Sequence, residues 1–297
     1  MATCSGFFIV QGSGMSDKID QQEEQSITRR FVAGVEYNGA LFKGWQKQKH
    51  YAGPSVQEAL EKAISRVANH TVDVVCAGRT DAGVHASAQV IHFDTSAVRD
   101  ERAWKLGINT NLPDGVCVNW IMPAPQDFHA RFSAVARRYR YFIMNKQVKP
   151  GLMHDGVSWW RRPLDAEKMH EAAQYLLGEH DFTSFRAKDC QARHAVRTMK
   201  YISVKRLNDW VIVEVCANAF LYHMVRNIVG VLLPIGEGKK PVEWCEQVLA
   251  AQDRRQAGVT APGEGLYFVN VEYPEYPHLP IDGTGPAFYQ FMSHAEG

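Results

Sequence analysis

The residues best suited to chemistry lie in a short loop, residues 78–85, between two apolar segments that the sequence predicts to be strands. Glycines at positions 78 and 83 permit a tight turn, and Asp81 stands at its apex. An aspartate in a turn commonly bonds its own backbone, so the loop alone favours a structural role. A carboxylate kept ionised would instead be fit to act as a nucleophile.

A second candidate is Arg226, which lies in the almost wholly apolar segment 220–233, predicted to be a buried helix. A guanidinium there would be costly without an anionic partner, because buried charges are almost always paired. The partner could be Asp81, another carboxylate or a substrate phosphate. An aspartate paired with an arginine would stay ionised, as a nucleophile requires.

Positive charge is concentrated in two segments of a chain whose formal net charge is only +1. Residues 131–162 carry eight cations and one acid, and residues 186–206 carry seven cations and one acid. Either segment alone is typical of a solvated surface. Both also contain aromatic residues, and cations beside rings suit a polyanion with exposed bases. A folded RNA is therefore a candidate partner.

The elements that must position these residues are predicted from hydrophobic periodicity and turn signals. Strands are expected at residues 31–37, 72–77, 89–94, 116–121, 137–144, 199–206, 211–217 and 266–273. Helices are expected after a capping box at Ser55 and at residues 99–109, 165–177, 220–233 and 241–251. Hairpins dominate, which favours an α+β fold with a largely antiparallel sheet.

The chain is predicted to form two halves that meet near residue 130. Residues 31–130 would contain the catalytic loop, and residues 131–280 would complete an RNA-binding cleft. Residues 1–30 are polar and weakly patterned, and are interpreted as an N-terminal extension, either disordered or added by cloning. Residues 281–297 are interpreted as a C-terminal tail.

Seven blocks, in matching order from Phe31 to Pro274, resemble the bacterial tRNA pseudouridine synthase A family. They are VEYNGALFKGWQKQ (35–48), SVQEALEKAI (55–64), GRTDAGVHA (78–86), FHARFSA…RRYRY (128–141), DFTSFRA (181–187), NAFLYHMVRNIVG (218–230) and GLYFVNVEYP (265–274). One such block would be weak evidence, whereas seven in register are specific.

The resemblance implies a pseudouridine synthase fold: two ferredoxin-like halves that share a mostly antiparallel sheet flanked by helices, with a cleft between them. It also implies a homodimer that isomerises uridine to pseudouridine at positions 38, 39 and 40 of the tRNA anticodon stem-loop. Asp81 matches the family's nucleophile, Tyr139 a tyrosine that contacts the target base, and Arg226 the arginine paired with the aspartate. Arg79 matches an arginine that helps to extrude the base. Further RNA contacts are expected from Arg137, Arg138, Arg140, Arg186 and His223.

Several function classes find no support in the sequence. It contains no glycine-rich nucleotide loop, no His or Cys cluster at zinc-ligand spacing, and no apolar run of about 18 residues that could span a membrane. The sequence therefore predicts a soluble, cytoplasmic protein with no cofactor and no metal. A glycoside-type hydrolase would need a second carboxylate of raised pKa, which none of the matched blocks supplies.

The main alternative is a non-catalytic RNA-binding protein on the same scaffold, which would carry the same basic and aromatic segments. Asp81 and Arg226 distinguish the two, because a protein that only binds has no use for an anion facing RNA phosphates.

Overall fold

The computed structural model of the protein describes residue 1, residues 28–47 and residues 53–293. Residues 2–27 of the predicted N-terminal extension lie outside this range. The strand predicted at residues 31–37 begins two residues earlier, at Arg29. Arg30 is fixed there by a bidentate ion pair with Asp94 and by hydrogen bonds to the carbonyl oxygens of Gln126 and Phe128.

The described residues form one ten-stranded sheet. Its strands are β1 (Arg29–Tyr37), β2 (Val75–Cys76), β3 (His85–Thr95), β4 (Val116–Ala124), β5 (Ala136–Asn145), β6 (Ser158–Trp160), β7 (Gly178–Asp181), β8 (Val196–Leu207), β9 (Trp210–Ala217) and β10 (Leu266–Glu272). The order is β4-β1-β3-β10-β5-β9-β8-β7, with β2 beside β3 and β6 beside β5. Only the β10–β3 and β5–β6 pairs are parallel. The predicted α+β class with a mostly antiparallel sheet is confirmed.

The helices are α1 (Val56–Ala68), α2 (Glu101–Asn111), α3 (Ala166–Gln174), α4 (Met224–Gly236), α5 (Trp244–Ala251) and α6 (Ala287–Ser293). The capping box predicted at Ser55 is present, with Ser55 and Glu58 each satisfying the other's backbone N–H. Within the described residues, no helix combines the length and the apolar character needed to cross a membrane.

The last strand, β10, joins the two parts of the sheet. Its Phe268 is in register with Ala86 of β3 on one side and with Tyr139 of β5 on the other. Ala86 lies just after the predicted catalytic loop. The insertion of β10 therefore brings Tyr139 of the C-terminal half level with the Asp81 loop of the N-terminal half.

Most buried side chains form one core on the sheet face that α1–α5 cover. A smaller cluster lies on the opposite face, where alternate residues such as Phe142, Ile212 and Tyr267 point. Phe288 and Tyr289 of α6 pack onto that cluster. The predicted C-terminal segment, from residue 281, thus includes a helix whose aromatic residues pack onto the sheet.

Two elements differ from their predicted bounds. Strand β2 is only two residues long, because Val72 and Val74 are buried outside the sheet ladder. The helix predicted from residue 220 begins at Met224, after a turn in which His223 adopts the left-handed backbone conformation with φ of 59°. Arg226 consequently lies in the first turn of α4.

Candidate active site

The Asp81 loop connects β2 to β3 and is fixed by polar side chains from β1 and β3. Gln89, which is fully buried, donates from Nε2 to the carbonyl oxygen of Gly78 at 2.6 Å and accepts from its N–H at 3.3 Å. The Tyr37 hydroxyl lies 2.8 Å from Thr80 Oγ1. Gly83 closes the turn with φ of +78°, a conformation that favours glycine. The loop therefore presents Asp81 on a fixed backbone.

Two cationic or potentially cationic side chains face the Asp81 carboxylate. Its Oδ2 lies 3.3 Å from Arg226 Nη1 and 3.4 Å from His223 Nε2. The Asp81 side chain is 19% exposed, so it is accessible to a substrate while its charge is partly shielded from water. Of the three partners left open for Arg226 by the sequence, the structure selects Asp81.

Arg226 is aimed by contacts between α4 and the segment that precedes β10. Its Nε donates to the carbonyl oxygen of Ala261 at 2.7 Å, and its own carbonyl oxygen accepts from the Ala261 N–H at 3.1 Å. The helix can approach this closely because residue 230 is a glycine: a Cβ there would lie 1.8 Å from the Val259 carbonyl oxygen. The Arg226 guanidinium thus contacts the Ala261 carbonyl oxygen through Nε and the Asp81 carboxylate through Nη1.

His223 precedes α4, and its ring lies against that of Tyr222, with centroids 3.9 Å apart and planes tilted by 32°. Burial lowers the pKa of His223, and the charge of Arg226 acts in the same direction, while Asp81 opposes both. The imidazole is therefore mainly neutral at neutral pH. It can accept or donate a hydrogen bond beside the carboxylate without adding a full charge.

Tyr139 is 7% exposed and packs edge-to-face against Phe220 and Phe268, with centroids 5.1 and 5.0 Å away. Its hydroxyl borders the catalytic loop, because a Cβ on Gly78 would lie 3.6 Å from that oxygen. Burial raises the pKa of Tyr139 far above its ordinary value, so the phenol stays protonated. Among the described residues, its hydroxyl has no hydrogen-bond partner.

Arg79 lies two residues before Asp81 and is exposed. Its guanidinium makes no hydrogen bond or salt bridge to another residue that the structure describes. It is therefore available to a bound molecule at the mouth of the site.

Four arginines predicted to contact RNA also make hydrogen bonds or ion pairs within the fold. Arg137 donates to the carbonyl oxygens of Ala77, Ala134, Asn218 and Arg131. Arg138 and Arg140 lie on the sheet face opposite Tyr139, where Glu214 binds both. Arg186 donates to the carbonyl oxygens of Cys190 and Ala192. RNA contact by these four residues stays a prediction.

Sequence reasoning missed the residues that hold the loop, Gln89 and Tyr37. A glutamine inside the apolar run of β3 was the available signal, because buried amides need partners. Of the aromatic residues that suggested base stacking, Tyr139, Tyr141 and Phe142 are buried and belong mainly to the core. No group of three His, Cys, Asp or Glu side chains suited to a metal occurs within the described ranges.

The assembled site offers a carboxylate next to a guanidinium, a protonated phenol and a free arginine. Such a set can supply a nucleophile and hold an electron-rich or anionic substrate. The side chains that the structure places directly against Asp81 are the bases Arg226 and His223, an arrangement that holds one ionised carboxylate rather than a pair of acids.

Comparison with known proteins identifies the family to which the chain is similar. A family profile described as tRNA pseudouridine synthase matches residues 33–133 and 172–274. The chain is 56% identical over 259 residues to tRNA pseudouridine synthase A of Pseudoalteromonas atlantica, which covers 87% of this chain and 98% of that protein. It is 54% identical over 255 residues to the protein of the same name from Xanthomonas campestris pv. campestris, with 86% and 99% covered.

Among solved structures, the chain is similar to a crystal structure of a Cbf5-Nop10-Gar1 complex, with 11% identity and a TM-score of 0.32. That alignment covers 80% of this chain and 58% of the other, and its score is too low to support an inference. The family profile and the relatives, by contrast, span both halves of the sheet and the Asp81 loop. The chain belongs to the tRNA pseudouridine synthase family.

Proposed function

We propose that this chain isomerises uridine to pseudouridine in tRNA, with Asp81 as the nucleophile. Membership of the family supports the reaction. The observation that carries the residue assignment is the pairing of Asp81 Oδ2 with Arg226 Nη1 at 3.3 Å, on a loop that Gln89 holds in place.

The chemistry needs little beyond one carboxylate. The bond between N1 and C1′ of uridine breaks, the uracil rotates, and a bond forms between C5 and C1′. The proton on C5 is lost and N1 takes up a proton, so that neither an oxidant nor a reductant is consumed. Asp81 can serve by attacking C1′, by adding to C6 or by assisting a glycal route, and all three stay open.

The other side chains have roles that follow from their positions. Taking the target base out of the stack costs on the order of a few kcal/mol. Arg79, which is exposed and has no partner in the described part of the chain, occupies the space that the base leaves. Tyr139 contacts the extruded uracil near C5, where its protonated hydroxyl borders the loop. Arg226 keeps Asp81 oriented toward the sugar.

The proposed substrate region is the anticodon stem-loop, at positions 38, 39 and 40, and the proposed assembly is a cytoplasmic homodimer in which each tRNA touches both subunits. These assignments rest on the resemblance of the seven sequence blocks. They are tested with tRNA transcripts labelled at one position at a time, and with sedimentation of the protein alone.

The central test is the release of tritium from tRNA labelled at C5 of uridine, with the intact protein, Asp81→Asn and a control, Asp209→Asn. Asp209 lies in the exposed β8–β9 turn, far along the sheet from Asp81. We expect release by the intact protein and the control, and none by Asp81→Asn, although that variant still binds tRNA.

Two other outcomes would contradict the proposal. Equal release by Asp81→Asn would keep the isomerase but exclude Asp81 as its nucleophile. No release by any of the three proteins, together with tight binding, would favour the non-catalytic RNA-binding protein.

A further inference from the structure

Phe132 is an exposed aromatic side chain that the site described above does not use. It lies in the loop between β4 and β5, and 76% of its surface is exposed. Large aromatic side chains normally bury most of their area, because that area is their main contribution to stability. Phe291 is equally exposed, so what distinguishes Phe132 is the way in which its loop and its neighbours hold the ring.

The loop that presents Phe132 is fixed by hydrogen bonds. The Nδ1 atom of His129 accepts from the N–H groups of both Arg131 and Phe132, at 3.2 and 3.1 Å. The N–H of Ala130 donates to His92, and its carbonyl oxygen accepts from the Tyr273 hydroxyl. These hydrogen bonds fix the backbone of the loop, so the Phe132 ring is exposed because of the loop's ordered conformation.

Two neighbouring side chains, His129 and Arg131, lie against the Phe132 ring. His129 lies parallel to it, with centroids 4.3 Å apart and planes 28° apart, and so covers one face. The Arg131 guanidinium lies 5.7 Å from the Phe132 centroid. Burial lowers the pKa of His129, and the charges of Arg30 and Arg131 lower it further, so the stacked imidazole is neutral. The exposed area of the ring is left for a third flat group.

The Phe132 loop is tied to the Asp81 loop. The Arg137 guanidinium donates to the Arg131 carbonyl oxygen and to that of Ala77, which directly precedes the catalytic loop. Arg79 follows Ala77 by two residues and Phe132 follows Arg131 directly, so one guanidinium links the two backbone segments that present these side chains.

We propose that Phe132 and Arg131 form a stacking platform for an unpaired RNA base beside the target uridine, with Arg131 on the adjacent phosphate. The proposal rests on the proposed function and adds a substrate-binding element to it. A nucleic acid fits this surface because proteins bind unpaired bases by stacking them on aromatic rings, with cations on the neighbouring phosphates. Here the Arg131 guanidinium lies over the exposed ring, and Arg137 links the loop to the backbone that leads into the active site.

The test compares Phe132→Ala, Phe132→Leu and Phe132→Trp in the intact protein, with tRNA affinity measured by fluorescence anisotropy. Loss of one base stack weakens binding by roughly 5- to 150-fold, and we expect about tenfold. Leucine keeps an apolar side chain without a π face and should be as weak as alanine, whereas tryptophan should restore the affinity. Phe291→Ala is the matched control, because Phe291 is also an exposed phenylalanine (80%) but lies on α6, across the sheet.

Arg131→Gln separates charge from stacking. It should reduce the slope of log Kd against log salt by about one, whereas Phe132→Ala should leave that slope unchanged. In tritium release, Phe132→Ala should raise KM and leave kcat at saturating tRNA close to that of the intact protein.

Three results would overturn the platform: unchanged affinity in Phe132→Ala, full recovery by Phe132→Leu, or dissociation of an oligomer of this chain by Phe132→Ala in sedimentation. The last result would assign the ring to a contact between copies. Failure of the intact protein to release tritium would instead contradict the proposed function. The ratio of the tRNA affinities of the intact protein and Phe132→Ala would still show whether Phe132 binds RNA.

Discussion

Asp81 depends on a residue that no substrate touches. Gln89 is fully buried on β3, and its amide bonds both backbone polar groups of Gly78. Its Nε2 also lies 3.4 Å from the Tyr37 hydroxyl, which in turn bonds Thr80. One amide therefore fixes the start of the catalytic loop directly and its middle through Tyr37.

Replacement of Gln89 by leucine should destabilise the protein and slow the reaction. The change leaves the N–H and carbonyl of Gly78 without partners inside the protein, which costs about 1–3 kcal/mol in free energy of unfolding. The loop then relaxes, so kcat for tritium release should fall while tRNA affinity changes little. Urea unfolding and single-turnover kinetics measure the two effects.

Gln126→Leu is the control, because the Gln126 side chain is exposed and, among the described residues, bonds only the Thr28 carbonyl oxygen. If Gln89→Leu unfolded at the same urea concentration as this control and kept its kcat, the loop would not depend on the amide.

Residue types pointed to Asp81 and Arg226 only in combination, because the loop alone favours a structural aspartate, whereas an arginine in an apolar segment needs an anionic partner. The same reasoning could not find Gln89, since its bonds to Gly78 arise only when β3 folds back beside the loop. It also could not see that Glu214, on a strand more than seventy residues away, binds Arg138 and Arg140. Partners distant in sequence are set by sheet register, which local patterns do not encode.

At the scale of elements, the approach of α4 to the segment before β10 decides where Arg226 points. Gly230 is the contact: a Cβ there would lie 1.8 Å from the Val259 carbonyl oxygen, which is backbone and cannot rotate away. Gly258 faces Gly230 from the other side, and a Cβ on it would lie 2.2 Å from the Gly230 carbonyl oxygen. Two glycines therefore permit this packing.

Gly230→Ala should separate α4 from that segment. Overpacking of this kind costs about 1–3 kcal/mol, and the bond from Arg226 Nε to the Ala261 carbonyl oxygen lies on the same contact. We expect Gly230→Ala to have a lower melting temperature. We also expect its rate of tritium release to fall by more than the fraction of unfolded protein accounts for. Gly151→Ala serves for comparison, because a Cβ at Gly151 meets nothing within 4 Å. Equal behaviour of the two variants would show that the close approach is unimportant.

Element types were easier to predict than element ends and neighbours. The apolar run from residue 220 has helical character, yet the helix starts at Met224 because the chain turns at His223 and sends Phe220 against Tyr139. Likewise, residues 266–273 read clearly as a strand, but nothing local indicates that this strand lies between β3 and β5. Its place depends on pairing with residues that are more than a hundred positions earlier.

At the scale of the whole molecule, the candidate site lies where the two parts of one sheet meet. Asp81 comes from the N-terminal part, Tyr139 from the C-terminal part, and β10 pairs with both. Arg226, on α4, contacts Asp81 at this junction of the two parts of the sheet. The geometry of the site therefore depends on the sheet remaining continuous across β3, β10 and β5.

The C-terminal segment stabilises that continuity from the other face. Phe288 packs against Phe142 of β5, Trp210 of β9 and Tyr267 of β10, with centroids 5.0, 5.8 and 5.7 Å away. Arg140 adds to this contact, because it donates to the Thr284 carbonyl oxygen and stacks over Tyr289 at 4.5 Å. The Phe288 ring thus contacts three neighbouring strands, β10, β5 and β9. Two of them, β10 and β5, belong to the junction between the two parts of the sheet.

Phe288→Ala should therefore destabilise the whole molecule without damaging the site. Because Phe288 is only half-buried, the loss in free energy of unfolding should be about 1–3 kcal/mol, below the value for a fully buried phenylalanine. Phe291→Ala, on the same helix but exposed, should change it by less than about 0.5 kcal/mol. Asp81 lies across the sheet from α6, so kcat per folded molecule should equal that of the intact protein at temperatures where both variants are folded. A loss of kcat in folded Phe288→Ala would mean that α6 shapes the site through β10, and equal stability of the two variants would mean that the segment does not support the sheet.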